Sequence, residues 1–210
     1  MKEKEIERLN KLKEEELELY NSGFNYICGI DEAGRGPLAG PVVVASVVLP
    51  KDSMIEGVND SKRVSEKRRE KIYEEIVKEA ISYGIAIIDE KEIDEINILR
   101  ATKKGVTECI KNLKIKPDII LIDALEGIDT LQIPYKSVIK GDAKHYSISA
   151  ASIIAKVTRD RIMRQYDLIY PEYGFLQNKG YGTAKHIQAI KEKGICEIHR
   201  KTFIKKFINN

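Results

Sequence analysis

The sequence has no tryptophan, only three cysteines and no long hydrophobic run among its 210 residues. Cys28, Cys109 and Cys196 are odd in number, widely separated and without a C-x-x-C pair, which indicates reduced, buried thiols rather than a disulfide scaffold or a zinc site. No stretch of eighteen apolar residues is present and the N-terminus is charged, which argues against a membrane span and a secretory signal. These absences predict a cytoplasmic protein with no membrane partner.

The chain is long enough for one domain with a small appendage, and its charge is unevenly distributed. The net charge is only +3. Residues 179–210 contain eight Lys or Arg and two Glu, whereas residues 1–20 contain five Lys or Arg and seven Glu. A basic C-terminal segment together with an acidic cleft favours a polyanionic substrate, and a solvated lysine-rich surface is the alternative.

Two adjacent acids, Asp31 and Glu32, follow one of the most hydrophobic parts of the sequence. Residues 26–30 and 42–49 are apolar and rich in β-branched side chains, which predicts two strands. The link between them is too short for a parallel return, so the strands should be antiparallel neighbours. Neither run alternates apolar and polar residues, which predicts strands covered on both faces. Carboxylates placed there are costly to bury and require a metal or a basic partner.

The remaining pattern predicts further strands and helices. Residues 1–20 read as a charged helix that packs loosely on the body, and Ser65 is expected to cap a helix that Gly84 ends. A later helix should be capped by Thr183 and run through residue 190. The other predicted elements are strands at 85–88, 119–122 and 135–139 and helices at 92–113 and 147–165.

Seven blocks of the sequence resemble the ribonuclease HII family of type 2 ribonucleases H. They are residues 29–44, 59–68, 93–99, 121–124, 140–142, 149–160 and 178–183. The resemblance extends over residues 24–203 and implies an α/β ribonuclease H-like fold: a five-stranded mixed sheet with an antiparallel second strand, flanked by helices. It divides the chain into an N-terminal charged helix (1–23), a catalytic domain (24–170) and a helical C-terminal substrate-binding part (171–210).

The resemblance implies that four acids are catalytic and hold two divalent cations, Mn²⁺ or Mg²⁺. They are Asp31, Glu32, Asp123 and Asp142. Each follows an apolar or small-residue segment, and hard cations prefer such oxygen ligands. For Asp123 alone, a turn residue at a strand end is the alternative. Asp160 competes for the fourth place, but its position inside a helix beside two arginines favours a salt-bridged structural acid.

The resemblance also implies a substrate-binding set made of Gly34, Arg35, Gly36, Ser61, Lys62 and Tyr181. Backbone groups beside glycine can approach a ribose closely, so residues 34–36 are expected to read the 2′-hydroxyl while Tyr181 stacks on a sugar. A hairpin turn, a solvated basic turn and a packed loop aromatic are the respective structural alternatives. The histidines at 145, 186 and 199 sit in polar, lysine-containing stretches, and His199 and Arg200 are expected to be surface residues, a phosphate contact being the alternative.

The implied function is a metal-dependent endoribonuclease of the ribonuclease H class. It would hydrolyse the RNA strand of RNA/DNA hybrids and incise at single ribonucleotides in duplex DNA, leaving 5′-phosphate and 3′-hydroxyl ends by two-metal-ion catalysis. The expected partners are these nucleic acids, and the expected state is a monomer. The alternatives are a ribonuclease HIII, which prefers longer ribonucleotide runs and usually carries an extra N-terminal domain, and a catalytically silent hybrid-binding protein.

Overall fold

The structure is a computed structural model that describes residues 1–208. Residues 209 and 210, the end of the predicted C-terminal part, lie outside the described residues. The strands are β1 (Ile27–Ala33), β2 (Val42–Val48), β3 (Ser82–Ile88), β4 (Ile119–Asp123) and β5 (Tyr135–Val138). The helices are α1 (Glu3–Asn21), α2 (Glu66–Glu79), α3 (Glu90–Ile96), α4 (Ile98–Lys111), α5 (Tyr146–Ile169), α6 (Phe175–Asn178), α7 (Ala184–Lys193) and α8 (Lys201–Ile208).

The five strands form one mixed sheet in the order β3-β2-β1-β4-β5. β2 runs antiparallel to both of its neighbours, β1 and β3, whereas β4 is parallel to β1 and β5 is parallel to β4. The predicted five-stranded mixed sheet with an antiparallel second strand is confirmed. No helix in the described part of the chain combines the length and the apolar character needed to cross a membrane.

Helices cover both faces of the sheet. α5 contacts β1 and β2 on one face, and α4 contacts β2 and β3 on the other. Every residue of β2 is buried, which explains why its valine-rich sequence does not alternate. Gly29 of β1 allows the backbone of α5 to approach at Ser147, since a Cβ built on Gly29 would overlap the Ser147 carbonyl group. The sheet and its central helix are therefore in backbone contact beside the end of β1.

Two predicted helix boundaries are wrong. The helix expected over residues 92–113 is two helices, because Asn97 has φ of 68° and its side-chain oxygen accepts hydrogen bonds from the N–H groups of Leu99 and Arg100. Asn97 thus ends α3 and caps α4. Gly84 does not end α2 but lies inside β3, where a Cβ would overlap the carbonyl oxygen of Cys109 on α4. Glycine here serves close helix–sheet packing.

The N-terminal helix is not loosely packed, contrary to the prediction. Leu9 and Leu12 are buried in the main core, and Lys13 donates hydrogen bonds to the carbonyl oxygens of Lys51 and Ser53. The buried Glu16 carboxylate accepts from both the N–H and the hydroxyl of Ser147, each at 2.8 Å. Ser147 lies in the first turn of α5, where a negative charge complements the helix dipole. α1 therefore caps the central helix.

We expect Glu16→Ala to destabilise the fold by about 2 kcal/mol, because it leaves the Ser147 N–H and hydroxyl buried without an acceptor. Burial raises the pKa of Glu16, which means that the buried charge is itself destabilising. Glu16→Gln removes the charge and keeps an acceptor, so its loss of folding free energy should be less than half that of Glu16→Ala. Urea denaturation followed by circular dichroism measures both. Glu14→Ala at an exposed position of the same helix is the control; equal losses for Glu14→Ala and Glu16→Ala would contradict this account.

Gly29→Ala should destabilise the fold by about 3 kcal/mol, since the added methyl group forces α5 away from β1. Gly36→Ala is the matched control for folding, because a Cβ there meets nothing closer than a Tyr181 ring carbon at 3.8 Å. The midpoints of urea denaturation of the two variants measure the difference. A Gly29→Ala protein as stable as Gly36→Ala would show that the contact is not tight.

Candidate active site

The ends of two parallel strands bring acids together. Ile30 of β1 is paired with Ile122 of β4, so the next residues, Asp31 and Asp123, occupy equivalent positions on neighbouring strands. Glu32 follows on β1, opposite Val44 of β2. Adjacent carboxylates at the carboxyl ends of parallel strands are the usual placement of functional groups in such sheets.

Asp142 reaches the same region through a tight turn. It lies in the 3₁₀ turn Gly141–Ala143, whose Gly141 N–H donates to Asp123 Oδ1 at 2.7 Å. The side chain of Asp142 is largely buried, and its Oδ2 is 3.5 Å from Lys62 Nζ. The polypeptide therefore fixes Asp142 next to Asp123 by a backbone hydrogen bond.

The negative charge in this region is only partly neutralised. Burial, then the neighbouring carboxylates of Glu32 and Asp123, hold the pKa of Asp31 well above its usual range. Burial and Asp123 also raise the pKa of Glu32, against the opposing effect of Arg35, whose Nη1 lies 3.2 Å from Glu32 Oε1. Burial, Asp60 and Asp123 raise the pKa of Asp142. The repulsion indicates a site that further positive charge would stabilise.

Lys62 supplies part of that charge. Burial opposes protonation of Lys62, yet the carboxylates of Asp142, Asp60 and Asp31 raise its pKa. Residues 1–208 contain no group of three His, Cys, Asp or Glu side chains already arranged to coordinate a metal ion. The donor set nevertheless fits hard divalent cations, because it consists of carboxylate oxygens that repel one another.

One cleft, with a volume of about 210 Å³, contains most of the predicted site residues. Its lining includes Asp31, Glu32, Gly34, Arg35, Gly36, Ser61, Lys62 and Tyr181, with Ser152, Lys156 and Arg159. Asp123 and Asp142 do not line this cleft. Asp123 raises the pKa of Asp31 and Glu32, and Asp142 raises the pKa of Lys62, so both acids are close enough to interact with charged groups of the cleft. The predicted acids and the predicted substrate residues thus belong to one region of the surface.

Two buried arginines hold the loop between β1 and β2 by its carbonyl oxygens. Arg200 donates to the carbonyls of Gly34 (2.6 Å), Arg35 (3.0 Å) and Gly40 (2.7 and 2.9 Å). Arg159 of α5 donates to the carbonyls of Ala39, Pro41 and Lys179. Neither arginine is among the residues predicted for the site, because their acceptors are backbone atoms and leave no pattern of side chains in the sequence.

Arg200 also determines where the backbone N–H groups of this loop point. In a trans peptide unit the carbonyl and the next N–H face opposite ways, and the peptides here are trans. Because Arg200 binds the carbonyls of Gly34 and Arg35, the N–H groups of Arg35 and Gly36 face away from it. Neither donates a hydrogen bond within the described residues. Two residues that line the cleft therefore have backbone donors without a protein partner.

Gly34 is required by this geometry. Its φ is 100°, a conformation that favours glycine, and a Cβ would overlap the Arg159 side chain. Glycine at position 34 is thus needed both for the backbone turn and for the close contact with Arg159. Tyr181 lies across the cleft from Gly36 and is 47% exposed, so it is not the packed loop aromatic considered as an alternative.

Asp160 is buried and does not line the cleft, although its partner Lys156 does. Its carboxylate lies 2.7 Å from Lys156 Nζ and 3.5 Å from Arg69 Nη2, which fits a structural acid. The partners are not the flanking arginines, since Arg159 binds carbonyls and Arg161 pairs with Glu70.

The expectation of a surface histidine at position 199 is wrong. His145, His186 and His199 are all buried, at 2%, 0% and 1% exposure. His145 pairs with Glu15 of α1 at 3.2 Å, and the other two contact each other. Arg200, expected at the surface together with His199, is fully buried as well. Polar flanks in the sequence gave no sign of these buried contacts.

In the presence of EDTA, Asp31→Asn should stabilise the fold by about 1 kcal/mol at pH 7, since it removes a repelled charge and keeps an acceptor for the Glu32 N–H. The folded pKa of Asp31 is raised, so the carboxylate lowers stability as pH rises from the ordinary aspartate value through the folded value. The gain should therefore shrink at pH 4. Thermal unfolding at both pH values, with exposed Asp52→Asn as control, tests this; a loss at both pH values would contradict it.

The sequence of this chain matches known proteins over almost its whole length. The family model described as Ribonuclease HII matches residues 28–206. The chain is 56% identical to the ribonuclease HII of Ruminiclostridium cellulolyticum and 58% identical to that of Acetivibrio thermocellus. Each match covers 98% of this chain and 80% of the relative.

Solved structures share the fold. A ribonuclease H2 from Pyrococcus horikoshii superposes with a TM-score of 0.73 at 29% identity, covering 88% of this chain and 97% of that one. The ribonuclease HII of Archaeoglobus fulgidus, solved in complex with PCNA, gives 0.73 at 28% identity over 86% and 96% of the two chains. A ribonuclease HIII in complex with Mn²⁺ gives 0.64 at 20% identity over 83% and 65%, a likeness of fold alone.

Proposed function

The chain belongs to the ribonuclease HII family, and we propose that it cuts RNA strands in RNA/DNA hybrids and incises duplex DNA at single embedded ribonucleotides. One observation carries the proposal. The cleft lined by Asp31 and Glu32 is also lined by Arg35 and Gly36, whose backbone N–H groups have no partner within the described residues, and by the half-exposed Tyr181. Groups suited to phosphodiester chemistry and groups suited to reading a sugar are therefore adjacent.

Asp31, Glu32, Asp123 and Asp142 would hold two divalent cations, Mn²⁺ or Mg²⁺. When bound, such ions polarise the phosphate and activate water. The four carboxylates contribute the negative charge that keeps the ions in place, and their mutual repulsion supports this role. In the hydrolysis, water would add its oxygen to phosphorus, the bond from phosphorus to the 3′-oxygen would break, and the proton lost by the water would end on that 3′-oxygen, so that the products carry 5′-phosphate and 3′-hydroxyl ends.

The loop residues Gly34, Arg35 and Gly36 would recognise the ribose. The N–H groups of Arg35 and Gly36 can donate to a 2′-hydroxyl, which DNA lacks, and a site built on such hydrogen bonds rejects the analogue strongly. Tyr181 would stack on the neighbouring sugar. Ser61 and Lys62, at the cleft edge, would contact a phosphate, and Lys62 is 80% exposed beyond its ion pair with Asp142.

The proposed partners are the nucleic acid substrates, with the protein acting as a cytoplasmic monomer. The thiols of Cys28 and Cys109 are buried and not in a disulfide, and burial raises the pKa of both. Free thiols of this kind are compatible with a reducing compartment. Size-exclusion chromatography with light scattering tests the monomer.

The proposal is tested with a DNA duplex that contains one ribonucleotide, alongside an RNA/DNA hybrid and an all-DNA duplex. With Mg²⁺ or Mn²⁺, the first two should be cut and the third should not. EDTA should abolish cleavage, and Asp31→Asn or Asp123→Asn should reduce kcat at least about a thousandfold, since electrostatic groups at a reaction centre contribute on that order.

Asp52→Asn, at an exposed turn, is the matched control and should cut at the wild-type rate. Cleavage that survives EDTA would refute metal catalysis. Binding of the hybrid without any cut would favour the silent binding protein. Activity restricted to long ribonucleotide runs would favour the ribonuclease HIII alternative.

A further inference from the structure

Two buried histidines form a hydrogen-bonded pair behind Tyr181. His186 on α7 and His199, which precedes α8, are 0% and 1% exposed, and their Nε2 atoms are 3.0 Å apart. The rings lie against Tyr173 and Phe175, with centroid distances of 4.8 Å from Tyr173 to His199 and 5.4 Å from Phe175 to His186. Apolar surroundings make any unpaired polar atom of these rings costly.

The end of the pair near the cleft fixes one tautomer. His186 Nδ1 is 2.9 Å from the carbonyl oxygen of Tyr181, and a carbonyl can only accept, so His186 Nδ1 carries the proton. In the neutral ring, His186 Nε2 is then an acceptor. Its neighbour at 3.0 Å, His199 Nε2, must therefore donate.

The other end gives the same answer independently. The backbone N–H of Cys196 points at His199 Nδ1 at 2.9 Å, closer than the Cys196 Sγ at 3.1 Å and the Cys196 carbonyl oxygen at 3.3 Å, and that carbonyl already accepts from the His199 backbone N–H. His199 Nδ1 therefore accepts and is unprotonated. The proton of neutral His199 is consequently on Nε2, directed at His186. The chain Cys196 N–H, His199, His186, Tyr181 carbonyl is thus continuous and runs in one direction, with every ring nitrogen satisfied.

We propose that His186, ordered by His199, is a positioning residue that anchors the backbone of Tyr181 and so sets where its ring meets the substrate sugar. The inference rests on the sugar-stacking role proposed for Tyr181. It concerns neither the acids nor the residues 34–36.

The loop around Tyr181 needs such an anchor. Lys179 and Gly180 both have left-handed backbones, with φ of 51° and 82°, and the Tyr181 side chain is about half exposed. The Tyr181 carbonyl accepts from His186 Nδ1 and from the N–H of Thr183 at 2.8 Å. Because half of the side chain has no protein around it, the hydrogen bonds to the carbonyl help to fix where residue 181 places its ring.

The direction of the hydrogen bonds requires both rings to be neutral. A proton added to His186 Nε2 would face the Nε2–H of His199 at 3.0 Å, and a proton added to His199 Nδ1 would face the N–H of Cys196 at 2.9 Å. Burial lowers the pKa of both histidines, that of His199 to about 4, which agrees with the neutral pair. The apolar enclosure that hides the pair thus also maintains its hydrogen-bond order.

Steady-state kinetics on the single-ribonucleotide duplex test the proposal. His186→Phe should raise KM about tenfold, because the loss of one hydrogen bond changes the binding free energy by about 1.4 kcal/mol, which corresponds to that factor. It should leave kcat within about threefold, because stacking on the sugar stabilises the bound state and the transition state equally. A merely misfolded fraction would lower kcat and leave KM unchanged. His186→Asn, whose amide N–H can occupy the place of Nδ1–H, should restore KM to within about threefold of wild type.

Tyr173→Phe is the matched control, since it removes a hydrogen bond from the same aromatic cluster, to the carbonyl of Gly194, without touching the pair. Its KM should equal that of wild type. An unchanged KM in His186→Phe, together with a raised KM in Tyr181→Ala, would overturn the proposal.

A spectroscopic readout separates this inference from the proposed function. In ¹⁵N spectra of the histidine side chains, His199 should be protonated at Nε2 and His186 at Nδ1, and His186→Phe should shift the Tyr181 carbonyl ¹³C resonance. The opposite tautomers, or an unmoved carbonyl resonance, would overturn the anchor. A wild-type protein that cuts no ribonucleotide would instead refute the proposed function and leave this spectrum as the test of the anchor.

Discussion

The hydrogen bonds from two buried guanidinium groups to the β1–β2 loop are the constraint on which the site depends. Arg159 and Arg200 are 1% and 0% exposed and bind carbonyl oxygens rather than carboxylates. Burial lowers their pKa values to about 10 and about 9, which measures how unfavourable this location is for a cation. Only a loop that turns its carbonyls inward satisfies both side chains, so the cost of burying the charges is offset by one defined loop conformation.

That conformation joins the separate layers of the molecule. Arg159 comes from the central helix α5, Arg200 from the segment before α8, and the loop connects two strands of the sheet. Arg159 also binds the carbonyl of Lys179, and the N–H of Leu38 donates to the carbonyl of Gly180, so the segment that carries Tyr181 is tied to the same loop. The C-terminal helices are therefore part of the cleft's framework and not an appendage beside it.

Sequence reasoning could predict the parts of this arrangement that are written in side-chain patterns. The valine-rich β2 and the short glycine- and proline-rich link were enough for the antiparallel pair, whereas the grouping of Asp31 with Asp123 came from the family resemblance. Side-chain patterns could not predict the role of Arg200, whose acceptor at Gly40 lies 160 residues earlier in the chain and belongs to the backbone. The burial of His186 and His199 was missed because the local sequence is polar and the two rings satisfy each other across 13 residues.

The order of residues in β1 and its loop explains why the sugar-recognition residues would keep a constant distance from the catalytic acids. Glu32 and Gly34 are two positions apart, so their Cα atoms lie within about 7 Å of each other whatever else the protein does. The acids are held by the strand pairing of β1, and the carbonyls of the next residues are held by Arg200. Under the proposed function, the sugar that the loop accepts thus sits a fixed distance from the carboxylates. A different spacing along the substrate would require either the strand or the buried arginine to move, and both are fixed by the core.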